Sequence, residues 1–363
     1  MQKIRAAVCH EFGKPLVIED VLLRAPEAGE VEVRLDACAI CHSDITYIDG
    51  GWGGNLPAIY GHEAAGIVTA VGAGVHGIAV GDSVCVTLIR ACGHCPNCAS
   101  GKPTICDTPY DRMAGPVTMA DGSPVEHGMA TAGFAEAVVV DQSQIVVIPA
   151  DMPKDAASLI SCGVITGVGA VVNAGGVRPG QDVVVIGAGG VGLNAIQGAR
   201  IAGARRIVAV DMTLEKLAIA REFGATDGVL ATEAKPWAAV KRLLGGRGAD
   251  AVIVTVGAIP AYDAAPKYLG YGGRVVMVGM PHSGAMSTYE PVMLAAVGQG
   301  MVGSKMGDVV IRRDIPWMVD LYQQGRLKLD ELISGRFTLD QINDAIANTK
   351  TGAARRNVVM FPR

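Results

Sequence analysis

"QDVVVIGAGGVGLNA", residues 181–195, runs from an apolar stretch through three spaced glycines into a helix-forming segment. Residues 183–186 offer no polar side chain to water, so they read as a strand buried on both faces. Gly187, Gly189 and Gly192 follow in the G-x-G-x-x-G spacing, with Gly190 and Val191 between the last two. The first glycine allows a tight turn, the second lets a diphosphate approach the backbone, and the third lets the helix pack on its strand. The helix N-terminus then faces the anion. The motif alone is weak evidence, but here it has the strand before it and the helix after it. Asp211 ends the next apolar run, "RIVAVD", 19 residues after Gly192. An acid there accepts hydrogen bonds from both ribose hydroxyls and repels a 2′-phosphate, which favours NAD over NADP. An N-cap aspartate is the structural alternative.

Outward from this stretch the pattern repeats. "ADAVIVTVG" (249–257) and "GRVVMVGM" (273–280) are further buried strands separated by helical segments. That alternation implies right-handed βαβ units and a parallel sheet, a Rossmann domain over residues 163–302. Residues 1–162 differ. Short runs such as "VEVRLDA", "AAGIVTAVG", "DSVCVTLI" and "AEAVVVDQSQIVVIP" lie between Gly, Pro and Asp turn signals, as in a small β-rich, barrel-like domain. The segment 303–363 holds two helical stretches and a last strand, "RNVVMF". It is too short for a domain and is expected to complete the first one.

Length agrees with two domains, since 363 residues exceed a single core of about 150. Half the residues are hydrophobic, and 48 glycines suit close helix–sheet packing. The formal charge is 31 − 35 = −4 without long runs of one sign, which argues against nucleic-acid binding. No apolar run of about 18 residues is present to span a bilayer. A signal peptide is likewise not evident, so a cytoplasmic protein with reduced thiols is expected.

The nine cysteines do not suggest a disulfide framework. Cys92, Cys95, Cys98 and Cys106 fall within one 15-residue window, "CGHCPNCASGKPTIC". Four thiolates complete a tetrahedral zinc and leave no open position, which makes this a structural centre. An iron–sulfur cluster or unconnected thiols are the alternatives. His94 inside the window reads as a loop residue. A second metal site needs three ligands and a vacancy, and Cys41, His62 and Cys162 are of the right types. Each also has a plainer reading, Cys162 as a small residue at a helix start and His62 as a structural histidine.

The motifs "CHSD" (41–44), "GHE" (61–63), the four-Cys lobe, "SCGVITGVGA" (161–170), the glycine fingerprint and "RNVVMF" occur in the order of a known family. Over its length the chain resembles the zinc-dependent medium-chain alcohol dehydrogenases. The resemblance implies a GroES-like catalytic domain beside the Rossmann domain, two zinc ions per subunit, and NAD. It implies Cys41, His62 and Cys162 as catalytic zinc ligands, with Glu63 behind the metal. Ser43 then hydrogen-bonds the alcohol, His42 and Arg356 contact the cofactor diphosphate, Lys216 the adenosine side, and Thr166 the nicotinamide. Where many members have a relay histidine this chain has Thr46, a hydroxyl with no pKa near neutrality. The implied partners are a small alcohol or aldehyde and copies of the same chain, as dimer or tetramer, with no nucleic acid or membrane.

The expected reaction is reversible oxidation of a primary alcohol, aromatic or of medium chain length. The alternative is S-(hydroxymethyl)glutathione, since residues 106–134 resemble part of the loop of that class. Tyr110, however, stands where that class commonly has Arg. A non-enzymatic zinc- and NAD-binding relative is a further alternative, though it would not need Ser43 with all three open-site ligands. Lys305 falls by alignment near the substrate pocket, where a cation could read an anionic tail.

Overall fold

This computed structural model describes residues 1–362. The chain divides into two compact units, Met1–Cys162 with Val310–Gln324 and Leu329–Arg363, and Gly163–Val309 with Gly325–Lys328. The second unit thus runs past 302. The residues after the strand Gly300–Gly303 form a turn at Met306–Asp308 that packs on the helical segment Ile165–Gly169, where a Cβ on Gly169 would come within 2.4 Å of Gly307 O.

The first unit carries two sheets. Five strands run in the order Val117–Met119, Val17–Leu23, Gln2–Cys9, Ala58–Ile59, Glu126–His127. Seven belong to the other, in the path Ile145–Val147, Ser83–Val86, Glu63–Val71, Glu30–Ala39, Arg356–Met360, Ile333–Thr338, with Ala137–Asp141 also paired to Glu30–Ala39. In Glu30–Ala39 the alternation is readable: Val31, Val33 and Leu35 are buried while Glu30, Glu32 and Arg34 are half-buried. The last five residues are buried throughout. "RNVVMF" supplies Arg356–Met360, antiparallel to this strand with Val359 opposite Cys38. The strand Ile333–Thr338 was not legible in "ISGRFT". Its residues alternate only between half-buried and exposed, so hydrophobicity does not mark it.

The second unit is a parallel sheet of six strands in the order Asp227–Leu230, Arg206–Asp211, Asp182–Ile186, Ala249–Val254, Leu269–Met277, Gly300–Gly303. Val183, Val184 and Val185 are wholly buried, each worth about 1.5–3 kcal/mol relative to exposure. The helix Gly190–Ile201 packs through small residues, since a Cβ on Gly198 would lie 2.9 Å from Val168 Cα.

One further element bears on the site. Residues Lys154–Ala174 form a continuous helix containing two π-helical turns, Ile160–Val164 and Ala170–Ala174. It is long and apolar enough to cross a membrane, and 94% of its apolar window is buried in the fold, as in a core helix. Cys162 is therefore not at a helix start. It lies in the interior of the helix, within the first π turn, where the wider backbone changes the direction of successive side chains.

Candidate active site and metal centres

Ligand atoms of Cys41, His62, Glu63 and Cys162 lie within 4.8 Å of one another, and all four residues are buried. Three elements bring them together. Cys41 is the N-cap of the helix His42–Ile48, Glu63 begins the strand Glu63–Val71 with His62 just before it, and Cys162 comes from the π turn.

Asp44 organises this cluster. Its side chain is wholly buried, and Oδ2 accepts the Cys41 N–H at 2.9 Å, the acid-to-N-cap half of a capping box. Oδ1 accepts the Gly61 N–H at 2.9 Å and lies 3.0 Å from His62 Nδ1. A carboxylate can only accept there, so Nδ1 carries the proton and the Nε2 lone pair is turned away from Asp44. His62 Nε2 and Glu63 Oε1 are both buried without a hydrogen-bond partner among the described residues. Two buried acceptors facing two thiols suit a cation.

The titration behaviour agrees. The Cys162 thiol and then the His62 charge hold Cys41 well below the ordinary thiol range, against the effect of burial. Burial opposes the charged form of His62, but Asp44 and then Cys41 outweigh it and push the imidazole up to about 10. Without a cation the cluster compensates its own thiolate by holding a proton. A divalent ion can replace that proton, and two thiolates with one neutral imidazole form a donor set that suits zinc.

The other predicted residues of this unit fall around the cluster. Ser43 is half-buried with Oγ 3.7 Å from Cys41 Sγ. The Thr46 hydroxyl donates to its own helix at His42 O, 2.9 Å away, and His42 is exposed. Arg356 is buried and pairs with Glu63 Oε2, so its guanidinium has a protein carboxylate as partner. Asp44 was the residue missed. Its signal was present in "CHSD", where an acid three residues after Cys41 has capping-box spacing.

In the lobe, the ligand atoms of Cys92, Cys95, Cys98 and Cys106 also lie within 4.8 Å of one another. Backbone N–H groups point at the sulfurs: Cys95 N to Cys92 Sγ at 3.2 Å, Cys98 N to Cys95 Sγ at 3.4 Å, and Cys92 N to Cys106 Sγ at 3.4 Å. Hydrogen bonds from Thr108, His94 N and Cys95 N hold Cys92 down to about 5. Burial, with the surrounding sulfurs, pushes Cys98 up to about 12. Four sulfurs so close can all ionise only around a cation. His94 is exposed and its ring turns to Cys92 O.

In the second unit, Gly187 has φ +96° and a Cβ there would meet Val256 Cγ1 at 2.4 Å. A Cβ on Gly192 would come 1.8 Å from Gly187 O. Both must be glycine for packing reasons alone. Gly189 is different, because a Cβ on it would meet nothing within 4 Å and its φ is ordinary. Protein contacts do not explain that glycine, whereas a diphosphate lying against the backbone does. Gly189 is also the N-cap of Gly190–Ile201 and provides no side-chain cap, so the first helical N–H groups remain available to an anion. Asp211 ends its strand with Oδ2 accepting Ala188 N–H at 2.6 Å and Oδ1 accepting Met212 N–H at 2.7 Å. Lys216 is half-buried on the helix Leu214–Glu222, and Thr166 is buried with Oγ1 3.7 Å from Met306 Sδ.

Known proteins are similar to this chain along its length. A family model described as "Alcohol dehydrogenase GroES-like domain" matches residues 27–150, and one described as "Zinc-binding dehydrogenase" matches 190–324. The "Alcohol dehydrogenase class-3" of Zea mays is 37% identical over 366 residues, 98% of this chain and 96% of that protein. The crystal structure of an alcohol dehydrogenase zinc-binding domain protein from Burkholderia ambifaria superposes with a TM-score of 0.95 at 34% identity, covering 100% of both chains. That of the benzyl alcohol dehydrogenase from Acinetobacter calcoaceticus does so with a TM-score of 0.93 at 30% identity, again over 100% of both. With identity of this order along the entire chain, and donors for zinc and a nucleotide loop in place, the chain belongs to the zinc-dependent medium-chain dehydrogenase/reductase family as an NAD-dependent zinc alcohol dehydrogenase.

Proposed function

We propose that the substrate is a primary alcohol, aromatic or of medium chain length, oxidised reversibly to its aldehyde at the cluster of Cys41, His62 and Cys162. The observation that carries the site is that cluster, with its imidazole oriented by Asp44 and its unpartnered Nε2. Cys41, His62 and Cys162 would hold a zinc ion, which would supply the Lewis acidity that lowers the pKa of an alcohol hydroxyl towards neutral pH, and NAD would serve as hydride acceptor. Glu63 stands behind the site as a further donor, neutralised by Arg356. The lobe cysteines hold the structural zinc. Aromatic preference draws on the likeness to the Acinetobacter calcoaceticus enzyme, whose name states benzyl alcohol. Steady-state rates on benzyl alcohol, hexan-1-ol and S-(hydroxymethyl)glutathione test it, and turnover of the glutathione adduct alone would overturn it.

A second reading, S-(hydroxymethyl)glutathione as substrate, has one observation in its favour. Arg90 stacks over the Tyr110 ring, its Cζ 4.4 Å from the centroid, so a guanidinium does stand beside Tyr110. It also lies 3.5 Å from Asp141, and the Tyr110 hydroxyl is tied to His127 Nδ1 at 2.6 Å. These engagements support the plain alcohol.

The Ser43 hydroxyl is the group we assign to take the alcohol proton. Ser43→Ala is expected to lower kcat by about 10²–10⁴, the range of a positioned proton transfer. Thr46 spends its hydroxyl hydrogen on His42 O, so Thr46→Ala is expected to lower kcat by less than about tenfold, with water as final acceptor. Equal losses in the two variants would make Thr46 an obligatory relay member and overturn this assignment.

Asp211 is assigned to the ribose of NAD. Each carboxylate oxygen keeps a lone pair beyond its backbone bond, so ribose hydroxyls can still be accepted. Asp211→Gly is expected to narrow the ratio of kcat/KM for NAD over NADP by about tenfold or more, the equivalent of one charge-assisted hydrogen bond. It should also raise KM for NAD, because Ala188 loses its brace. Equal use of NADP by the wild type would place ribose recognition elsewhere.

Association of copies has its own support. Gly300–Gly303 is the edge strand of the parallel sheet, and an unpaired edge is a template for another chain. Between Arg274 and Lys305 the only formally charged residue is Glu290. Met286, Val292 and Met293 are exposed within that stretch at 81%, 61% and 57%. We assign this surface to a second copy. A solution mass of one chain, 37.4 kDa, would refute it.

A further inference from the structure

The helix His42–Ile48 carries more than the cap at Cys41. Ser43 and Tyr47 are four residues apart and so share one face, and both are half-buried. A long side chain on a helix leans back over the turn before it, which brings the Tyr47 ring towards Ser43. Two further aromatic rings pack on Tyr47. Trp52 meets it edge-on with centroids 5.1 Å apart, and Tyr60 stacks on it at 5.6 Å. Tyr60 is buried behind, whereas Tyr47 and Trp52 keep part of their surface open. An aromatic wall thus begins one helical turn from the hydroxyl assigned to the alcohol proton. All of these residues belong to the first unit.

The loop that carries Trp52 has little stiffness of its own. It reads "GGWGGN", residues 50–55, with four glycines around the indole. Gly50, Gly53 and Gly54 adopt φ of 78°, 68° and 134°. Such a segment loses much conformational freedom on ordering. Local bonds fold it on itself, Gly51 N–H to Thr46 O at 2.8 Å and Gly53 N–H to Gly50 O at 3.1 Å. Its far end is joined to another element. The Asn55 N–H donates to Glu126 Oε2 at 2.6 Å, and Glu126 belongs to the short strand Glu126–His127. Glu126 is wholly buried, which is unfavourable for a carboxylate unless it is paired. Arg112 pairs it, with Nη1 3.1 Å from Oε1. The nearest neighbours of a Cβ on Gly54 would be Glu126 Oε2 and Oε1, at 3.6 and 3.8 Å, and the Tyr60 hydroxyl at 3.7 Å. The carboxylate therefore lies directly beneath the loop. The mechanism derived above does not use it.

We propose that Glu126 is a positioning residue: by holding Asn55 it keeps Trp52 on Tyr47, and the wall so fixed makes the site favour aromatic over straight-chain alcohols. This rests on the alcohol-oxidising reading above and names what selects the aromatic substrate within it. A ring packed on an indole already in place gains its contact without first ordering the loop, and a flexible alkyl chain gains less from the same surface. The Glu126 oxygens are taken by Asn55 and Arg112, so the residue acts through the loop and not on the alcohol.

The test compares kcat/KM for benzyl alcohol and hexan-1-ol in wild type, Trp52→Leu, Glu126→Ala, Glu126→Gln and the double variant Trp52→Leu/Glu126→Ala, with zinc content and Tm measured on each. The ratio of benzyl alcohol to hexan-1-ol is expected to fall about three- to tenfold in Trp52→Leu, the equivalent of one aromatic contact. Glu126→Ala should give a fall of the same size with the metal content unchanged. Glu126→Gln should keep most of the ratio, since an amide oxygen still accepts the Asn55 N–H. The double variant should fall no further than Trp52→Leu, because the two residues act as one unit. If Glu126→Ala does not fold, Asn55→Pro removes the same bond with Glu126 in place and carries the same expectation. An unchanged ratio in Trp52→Leu or in Glu126→Ala overturns the proposal. So do additive losses in the double variant. An equal loss on both alcohols with a lowered Tm also overturns it, since Glu126 would then be a structural acid alone. Wild-type protein that oxidises neither alcohol refutes the activity reading instead. Acrylamide quenching of Trp52 fluorescence, in a chain with Trp237→Phe and Trp317→Phe, then decides for Glu126. Faster quenching in Glu126→Ala than with Glu126 or Gln at that position supports it, and equal quenching in all three overturns it.

Discussion

Cys162→Ala is expected to leave a folded protein with one zinc per chain and turnover below about 10⁻³ of wild type, the scale of losing a metal-supplied step. Cys162 lies inside a long buried helix, where alanine has the better propensity and opens only a small space. Two ligands and Glu63 remain, too few thiolates for a tight zinc site. The lobe donors, 92–106, come from their own short stretch and keep the other ion. Cys95→Ala should do the opposite. Cys95 caps the helix Pro96–Ala99 by accepting Cys98 N–H, so its loss removes a cap and a metal ligand together. Lower Tm and solubility should accompany loss of the lobe zinc, while the zinc at the other cluster stays. Metal analysis after desalting, read beside turnover and Tm, separates the cases. A wild-type content near one zinc per chain would refute the two-centre assignment.

How much of this was legible depended on whether the signal was local. The strand 182–186 with its glycines is read from consecutive residues, because burial on both faces and the turn leave marks in composition. The two metal clusters were legible for a different reason, since Cys and His are rare and their chemistry narrows their use. Elements fixed by tertiary contact were not. The π turn at Cys162 left no mark, since "LISCGVITG" has the composition of an ordinary apolar helix. The left-handed turn at Met306–Asp308 has one glycine in three residues, so its backbone could not be inferred from residue type. Asp44 is intermediate: its capping spacing was visible, but its bond to His62 joins residues 18 apart.

That bond carries the second large effect. Asp44→Asn is isosteric, yet it changes the hydrogen-bond count in a definite way. Three N–H groups, from Cys41, Gly61 and His62, converge on the two oxygens of Asp44. An amide offers one oxygen and one NH₂, so at least one buried N–H must face another donor. The better orientation keeps the oxygen towards Gly61 and His62 and strands Cys41 N–H, a loss of about 1–3 kcal/mol for a buried unsatisfied group. The imidazole also loses its anionic partner, which makes Nε2 a weaker donor to a metal. Zinc affinity at this cluster and kcat/KM are each expected to fall by about 10–100-fold, the usual effect of removing the partner of a metal-binding histidine. A purely structural role for Asp44 would lower Tm and leave the metal constant alone. Competition with a chelator below the unfolding transition distinguishes the two. If Asp44→Asn releases zinc from this cluster at the wild-type concentration of chelator, Asp44 braces the helix without tuning the imidazole.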